Sequence, residues 1–248
     1  MMRAACVVLL VALAGCSGDA SGPDAPVPQP TESGNQTAPA PTALRWTVDA
    51  GTGTTKTDVL DVNVTVGRPV LVQVVAGPFS HEQEVNESAV VAVALDFGRT
   101  NVTITADDGI NTVSESFMAV RLAPATFEVD YGAASSKAEV HDDLWLDIHA
   151  FHSASMYEQE GGEHPGFPNV HDVMVFWEQE TGHVVEYGYS QGFQSFSVSR
   201  IDGEGNPLTA SAPPYWCYDI NGEPASLGIT LEPFTPGDTI RWELGACT

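Results

Sequence analysis

"PNVHDVMVFWEQETG", Pro168–Gly182, is the one clear helical signature in this chain, and its surroundings decide the fold. Asn169 is a residue type that caps helix N-termini, Asp172 falls in the first turn, and Gly182 supplies a stop. Val170, Val173, Met174 and Trp177 recur at i, i+3, i+4 and i+7, which gives a single apolar face. Around it the chain reads as strands. "ATFEVDYGA" and "LWLDIHAF" alternate before the helix, and "HVVEYGYS", "FQSFSVSRID", "PYWCYDING" and "DTIRWEL" follow it. One helix against a mostly antiparallel sheet predicts an α+β domain over residues 124–248.

Residues 44–123 show no helical period. "LRWTVDA", "TDVLDVNVTV", "RPVLVQVVAG", "SAVVAVALDFG", "TNVTITADDG" and "TVSESFMAVRLA" are β-branched, often alternating, and separated by Gly, Pro, Asn and Asp. Strands at this spacing predict a β-sandwich with one modest core. The stretch "GRTNVTITADDGINTVSESFMAVRL" resembles the late strands of bacterial immunoglobulin-like modules, where such a run marks a strand entering a turn. The fold class is therefore mainly β with a smaller α+β part.

The first residues predict the compartment. Arg3 precedes the apolar run "AACVVLLVALAG", which is short for a transmembrane helix and stops at Cys16. "LAGC", Leu13–Cys16, resembles the lipobox of prokaryotic lipoproteins, in which the cysteine takes a diacylglyceryl group and becomes the mature N-terminus. Residues 1–16 thus read as signal peptide and lipobox, and Cys16 as the lipidation site. The next stretch, residues 17–43, is built from Ser, Gly, Pro, Ala, Thr and acidic residues and reads as a disordered tether. The expected location is extracytoplasmic, attached to the membrane through the lipid. A formal net charge of −24 repels phosphate backbones, so nucleic acid is a poor partner class. Of the four cysteines, Cys217 and Cys247 lie beyond the signal region. Each is at or beside a predicted C-terminal strand of an exported chain, so a disulfide between them is expected.

"VEYGYSQGFQSFSVSRIDG" followed by "YWCYDINGEPASLGITLEPFTPGDTIRWEL" resembles the transcobalamin-like C-terminal domain of exported prokaryotic proteins. The shared pattern is an aromatic-rich strand, Asn-Gly, a small-residue loop closing on Gly228, and then a Pro-Gly-Asp turn before a strand with a tryptophan. The resemblance covers roughly half the chain and is sharpest over the last 30 residues. It implies a β-rich domain with one helix and, as in the animal vitamin carriers, a surface that packs over a corrinoid. This chain departs from those carriers in lacking the large helical domain that holds most of the ligand.

Three constellations invite a chemical reading. "GYSQG", Gly188–Gly192, matches a nucleophile-elbow pattern, but a strand rather than a helix follows and no histidine lies beyond His183, so a turn between strands is expected. His149, His152, His164 and His171, with Glu163, fall in one carboxylate-rich segment and are candidate ligands for a transition metal. That segment equally reads as a solvated acidic loop. Tyr215, Trp216 and Tyr218, with Asn221 and Gly228, are candidate ligand contacts, and strand alternation places Trp216 and Tyr218 on one face. Core packing is the alternative use of those aromatics.

The sequence therefore predicts a noncatalytic, lipid-anchored surface protein whose C-terminal domain binds a small ligand or a protein partner. A corrinoid and a transition metal are the two cofactor classes it puts forward. A metal-binding lipoprotein using residues 141–171 is the second reading, and a structural or adhesive module is the third.

Overall fold

The computed structural model describes residues 42–132, 135–207 and 213–247. Cys16 and the tether up to Pro41 lie outside the described residues.

Strict alternation builds the first half. The strands are β1 (Trp46–Asp49), β2 (Thr54–Thr55), β3 (Val59–Val66), β4 (Val70–Ala76), β5 (Phe79–Val85), β6 (Ser88–Ala94), β7 (Gly98–Asp107) and β8 (Thr112–Arg121). In β3, Leu60, Val62, Val64 and Val66 are buried while Asp61, Asn63 and Thr65 are exposed. Period two puts every apolar residue of such a strand on one face. Two sheets result, in the orders β1-β3-β6 and β2-β8-β7-β4-β5, and their apolar faces share one core that includes Val64, Val72, Val93 and Ile104. The "ADDGIN" stretch turns β7 into β8: Asp107 and Asp108 side chains accept from the backbone of Gly109, Ile110 and Asn111.

The second half contains β9 (Ala123–Asp130), β10 (Ala138–Leu146), α1 (Ala154–Gln159), α2 (Val170–Thr181), β11 (Val185–Ser190), β12 (Ser195–Ile201), β13 (Tyr215–Ile220), β14 (Glu223–Pro224) and β15 (Thr239–Gly245). Its main sheet runs β10-β9-β15-β13-β14, with β11 and β12 as a separate hairpin. All pairs are antiparallel except β15 with β9, which lie parallel. The expected helix is α2, with the expected ends. Asn169 accepts from Asp172 N–H, the Asp172 side chain accepts from Asn169 N–H, and Gly182 caps the C-terminus in the left-handed region at φ 78°. The N–H groups of Val170 and His171 donate to the carbonyls of Glu232 and Ile229, so the helix start keeps no orphan donors there. Val170, Val173, Met174 and Trp177 are fully buried. They meet the inward face of the main sheet, where Trp177 stacks on Phe127 at 4.5 Å.

The strand expected in "LWLDIHAF" ends at Leu146, with turns following it, and two further features stand out. Residues 154–159, expected as loop, form α1, which is too short to display an apolar period and buries only Tyr157. Its N-cap serine does not cap it. Ser153 gives both its N–H and its hydroxyl to Asp172 Oδ1, at 3.0 and 2.9 Å, so α1 is tied to the start of α2. The second is the parallel β9–β15 pair, one exception within the mostly antiparallel sheet that was expected; its strands are joined by a connection that runs through α1, α2 and β10 to β14.

The two halves meet at Leu122. Arg121 donates to Leu95 O at 2.9 Å and lays its guanidinium over Phe97 at 3.9 Å. Arg99 pairs with Asp147 at 2.8 Å. Gly98, at φ 90°, lies against the His149 ring, where an added Cβ would collide.

Capping and packing of α2 differ in scale. Asn169→Ala removes one cap and is expected to cost about 1 kcal/mol, whereas Trp177→Ala empties a buried site and is expected to cost about 3–5 kcal/mol. Urea denaturation of the two variants checks the order; equal losses would contradict it.

Candidate functional site

The predicted disulfide is present. Cys217 and Cys247 are bonded across a sequence separation of 30, with Cα atoms 5.5 Å apart. It ties the chain end beyond β15 to β13, which pairs with β15 in the register Cys217↔Glu243 and Tyr218↔Trp242. Beside it lies an open groove of about 160 Å³ bordered by Tyr218, Asp219, Pro224, Glu243 and Gly245.

The aromatic residues of β13 serve the core more than the groove. Trp216 is 7% exposed, donates its indole N–H to Glu204 O at 2.9 Å, and meets Tyr131 edge-on at 5.5 Å. Tyr218 stacks on Trp242 at 4.9 Å and donates its hydroxyl to Leu227 O at 2.7 Å. Alternation does put the two on one face, and that face is the covered one, so they do not form an open stacking platform. Tyr215 lies on the opposite side with Cys217. Asn221 and Gly222 take positive φ, 55° and 81°, as the tight Asn-Gly turn requires, and Asn221 bonds both Asp238 Oδ1 and Thr239 N–H. A Cβ at Gly228 would collide with Ser195 Oγ. Both positions carry turn and packing constraints. "GYSQG" is the end of β11 and the turn into β12, as expected from the strand that follows it.

The histidines of the 141–171 segment scatter. His149 Nδ1 accepts from Arg99 N–H at 3.2 Å, on the contact between the two halves. His152 packs its ring against Phe176 at 4.9 Å. His164 accepts from Gly166 N–H at Nδ1 and places Nε2 3.0 Å from Asp172 Oδ2, so both ring nitrogens are engaged. Glu163 is exposed. His171 is turned by α2 into the core, with Tyr187 and Phe196 rings at 4.9 and 4.6 Å. His149, His152, His164, His171 and Glu163 therefore do not assemble as a ligand shell. The reason is topological: β10 ends at Leu146, and the chain passes through turns and α1 before His164 and His171 reach the start of α2.

A different set does come together. Among the described residues, the group of three metal-ligating side chains with converging donor atoms is Glu139, His141 and His183. Neither Glu139 nor His183 was a candidate from sequence. The available signal was weak: Glu139 and His141 share a strand face by alternation, and His183 directly follows the helix stop.

These features make the C-terminal half a disulfide-closed α+β arrangement on a five-stranded sheet. Residues 179–246 match the family described as Domain of unknown function (DUF4430). The match starts in the last turn of α2 and covers β11 through β15, leaving β9 and β10, which complete the same sheet, outside it. Comparison with curated proteins and with solved structures finds no match.

His171 makes a testable contribution to stability. Neither of its ring nitrogens has a hydrogen-bond partner, and burial, aided by His164, pushes its pKa from 6.5 down to about 3. The unfolded chain then binds more protons than the folded one between those values, so stability falls as pH drops from about 6.5 toward 3. The ceiling of the effect is about 5 kcal/mol. His171→Phe should flatten this part of the pH–stability curve, measured by chemical denaturation. An unchanged slope would contradict the assignment. Replacing both cysteines by serine should cost about 3–4 kcal/mol through the freed 30-residue loop.

Proposed function

We propose that the protein is a lipid-anchored, noncatalytic binding protein of the cell exterior, whose C-terminal domain takes a ligand or partner against an open surface. The observation that carries this reading is the groove beside Cys217–Cys247. Its volume, about 160 Å³, is below the roughly 300–1,000 Å³ of pockets that enclose drug-sized ligands. It offers a face or an edge, as expected for packing over one side of a large planar ligand or against another protein. The transcobalamin-like pattern, over roughly residues 125–244, supports the same use, with a corrinoid as the first ligand class to test. The noncatalytic part of the proposal is supported by Ser190, which ends a hairpin strand and lacks the strand-to-helix turn of a nucleophile elbow.

Difference absorption spectra of the mature protein with cobinamide and cobalamin test the ligand. Binding near micromolar, about 8 kcal/mol, is expected, weakened at least about tenfold by Glu243→Lys, which places a new cation on the groove wall. Absence of any spectral change with either corrinoid would contradict a corrinoid ligand and leave another small ligand or a protein partner.

The anchor has its own test. Among the described residues no helix is long and apolar enough to cross a membrane. Cys16→Ser is expected to move the exported protein from the membrane to the soluble fraction. Unchanged partitioning of a correctly exported variant would contradict lipidation at Cys16.

A further inference from the structure

Two imidazole nitrogens converge on one carboxylate oxygen where β10 passes the end of α2. Glu139 and His141 lie opposite Val129 and Phe127 of β9, so both point to the sheet face that α2 covers. His183 follows the Gly182 cap of α2 and stacks on Trp177 at 4.5 Å. His183 Nε2 is 3.0 Å from Glu139 Oε2, and His141 Nε2 is 3.5 Å from the same atom. The other nitrogen of His183, Nδ1, is 2.7 Å from Asp202 Oδ2.

The proton positions make this arrangement informative. An ionised carboxylate only accepts hydrogen bonds, so the contact with Asp202 places a hydrogen on His183 Nδ1. A neutral ring then carries a lone pair at Nε2, facing an oxygen that also has only lone pairs. Two acceptors at 3.0 Å repel unless positive charge lies between them. A second proton on His183 would answer this pair alone. It would leave His141 Nε2, which is buried and 3.5 Å from the same oxygen, with no more than a long, weak contact. One cation bound to all three side chains answers both.

We propose that Glu139, His141 and His183 bind a divalent transition cation of the zinc class. Nitrogen and oxygen ligands held at about 2.0–2.2 Å in a tetrahedron lie about 3.4 Å apart. The observed separations of 3.0 and 3.5 Å fall on either side of that edge, and the donor atoms of all three side chains lie within 4.8 Å of one another. Imidazole with carboxylate suits zinc, copper and nickel over calcium or magnesium. Asp202 orients His183 from behind, in the carboxylate–histidine arrangement common at metal sites. It is itself fixed by the Tyr131 hydroxyl at 2.7 Å and Val184 N–H at 3.1 Å. Lys137 holds Glu139 through Oε1 at 2.7 Å and leaves Oε2 to the histidines. The last turn of α2 has no basic residue, so the negative end of the helix dipole faces this region uncompensated. The three side chains are 16–25% exposed, which leaves a path for the ion and a position for water as fourth ligand. The site is separate from the groove beside the disulfide and does not depend on what binds there.

The competing account is an ion-pair cluster in which a protonated His183 bridges Glu139 and Asp202 and no metal binds. Calorimetric titration of chelator-stripped, full-length mature protein with zinc chloride separates the two. One equivalent is expected to bind. Glu139→Gln and His141→Ala are expected to weaken binding at least about a hundredfold, and Asp202→Asn about ten- to a hundredfold. His81→Ala, on exposed β5 of the other half, should bind zinc as the parent does. Copper(II) should quench part of the tryptophan emission of the parent through Trp177 and lose that effect in His141→Ala. Thermal melts without metal establish that each variant is folded, and zinc should raise the midpoint of the parent but not of Glu139→Gln. Should His141→Ala not melt cooperatively, Glu139→Gln, close in shape to the parent, decides. Absence of stoichiometric zinc binding, or equal binding by parent and Glu139→Gln, would overturn the proposal.

Discussion

Trp177 joins the single long helix to the sheet, and the rest of the C-terminal half is arranged around that contact. Its indole is fully buried, stacks on Phe127 of β9 and on His183 beyond the helix, and meets His141 of β10 edge-on. Burying a side chain of this size is worth several kcal/mol by area. That outweighs the roughly 1–3 kcal/mol cost of its indole nitrogen, which is buried without a hydrogen-bond partner. Packing therefore sets the position of α2, and the caps at Asn169 and Gly182 set its ends.

The start of α2 is held by a second device, the Asp172 carboxylate. It accepts from Ser153 N–H, Ser153 hydroxyl, Asn169 N–H and the His164 ring, and is almost wholly buried. A buried charge is costly unless hydrogen-bonded on this scale. The network makes Asp172 at once a helix-capping residue and the point to which α1 and the His164 loop are fastened. Histidines that look from sequence like a metal set are here spent on structure. At the other end of the helix, Glu178 accepts from Val185 N–H and the Tyr187 hydroxyl, fixing the β11–β12 hairpin. One helix thus organises both of its flanking loops.

Much of this was legible in the sequence where the cause is local. Asn169, Asp172 and Gly182 mark the ends of α2 because capping is decided within a few residues. The alternation in residues 59–76 reads directly as β3 and β4 because both strands have one covered face. The Cys217–Cys247 bridge followed from two cysteines near paired strands. Other features depend on who covers whom. Alternation placed Trp216 and Tyr218 on one face without saying that this face is the core. The short helix α1 has no period to read. Glu139 and His141 meet His183 only because Trp177 draws the end of α2 onto β9 and β10, so their convergence is a property of the packing and has no sequence spacing of its own.

Native-state hydrogen exchange most directly tests whether this helix–sheet contact organises the domain. If Trp177 locks α2 to the sheet, the amides of Met174 to Glu178 should exchange with the same opening free energy as those of β9 and β15, through one cooperative unfolding. Exchange of the helix through a separate opening, well below the free energy of the sheet strands, would contradict the account.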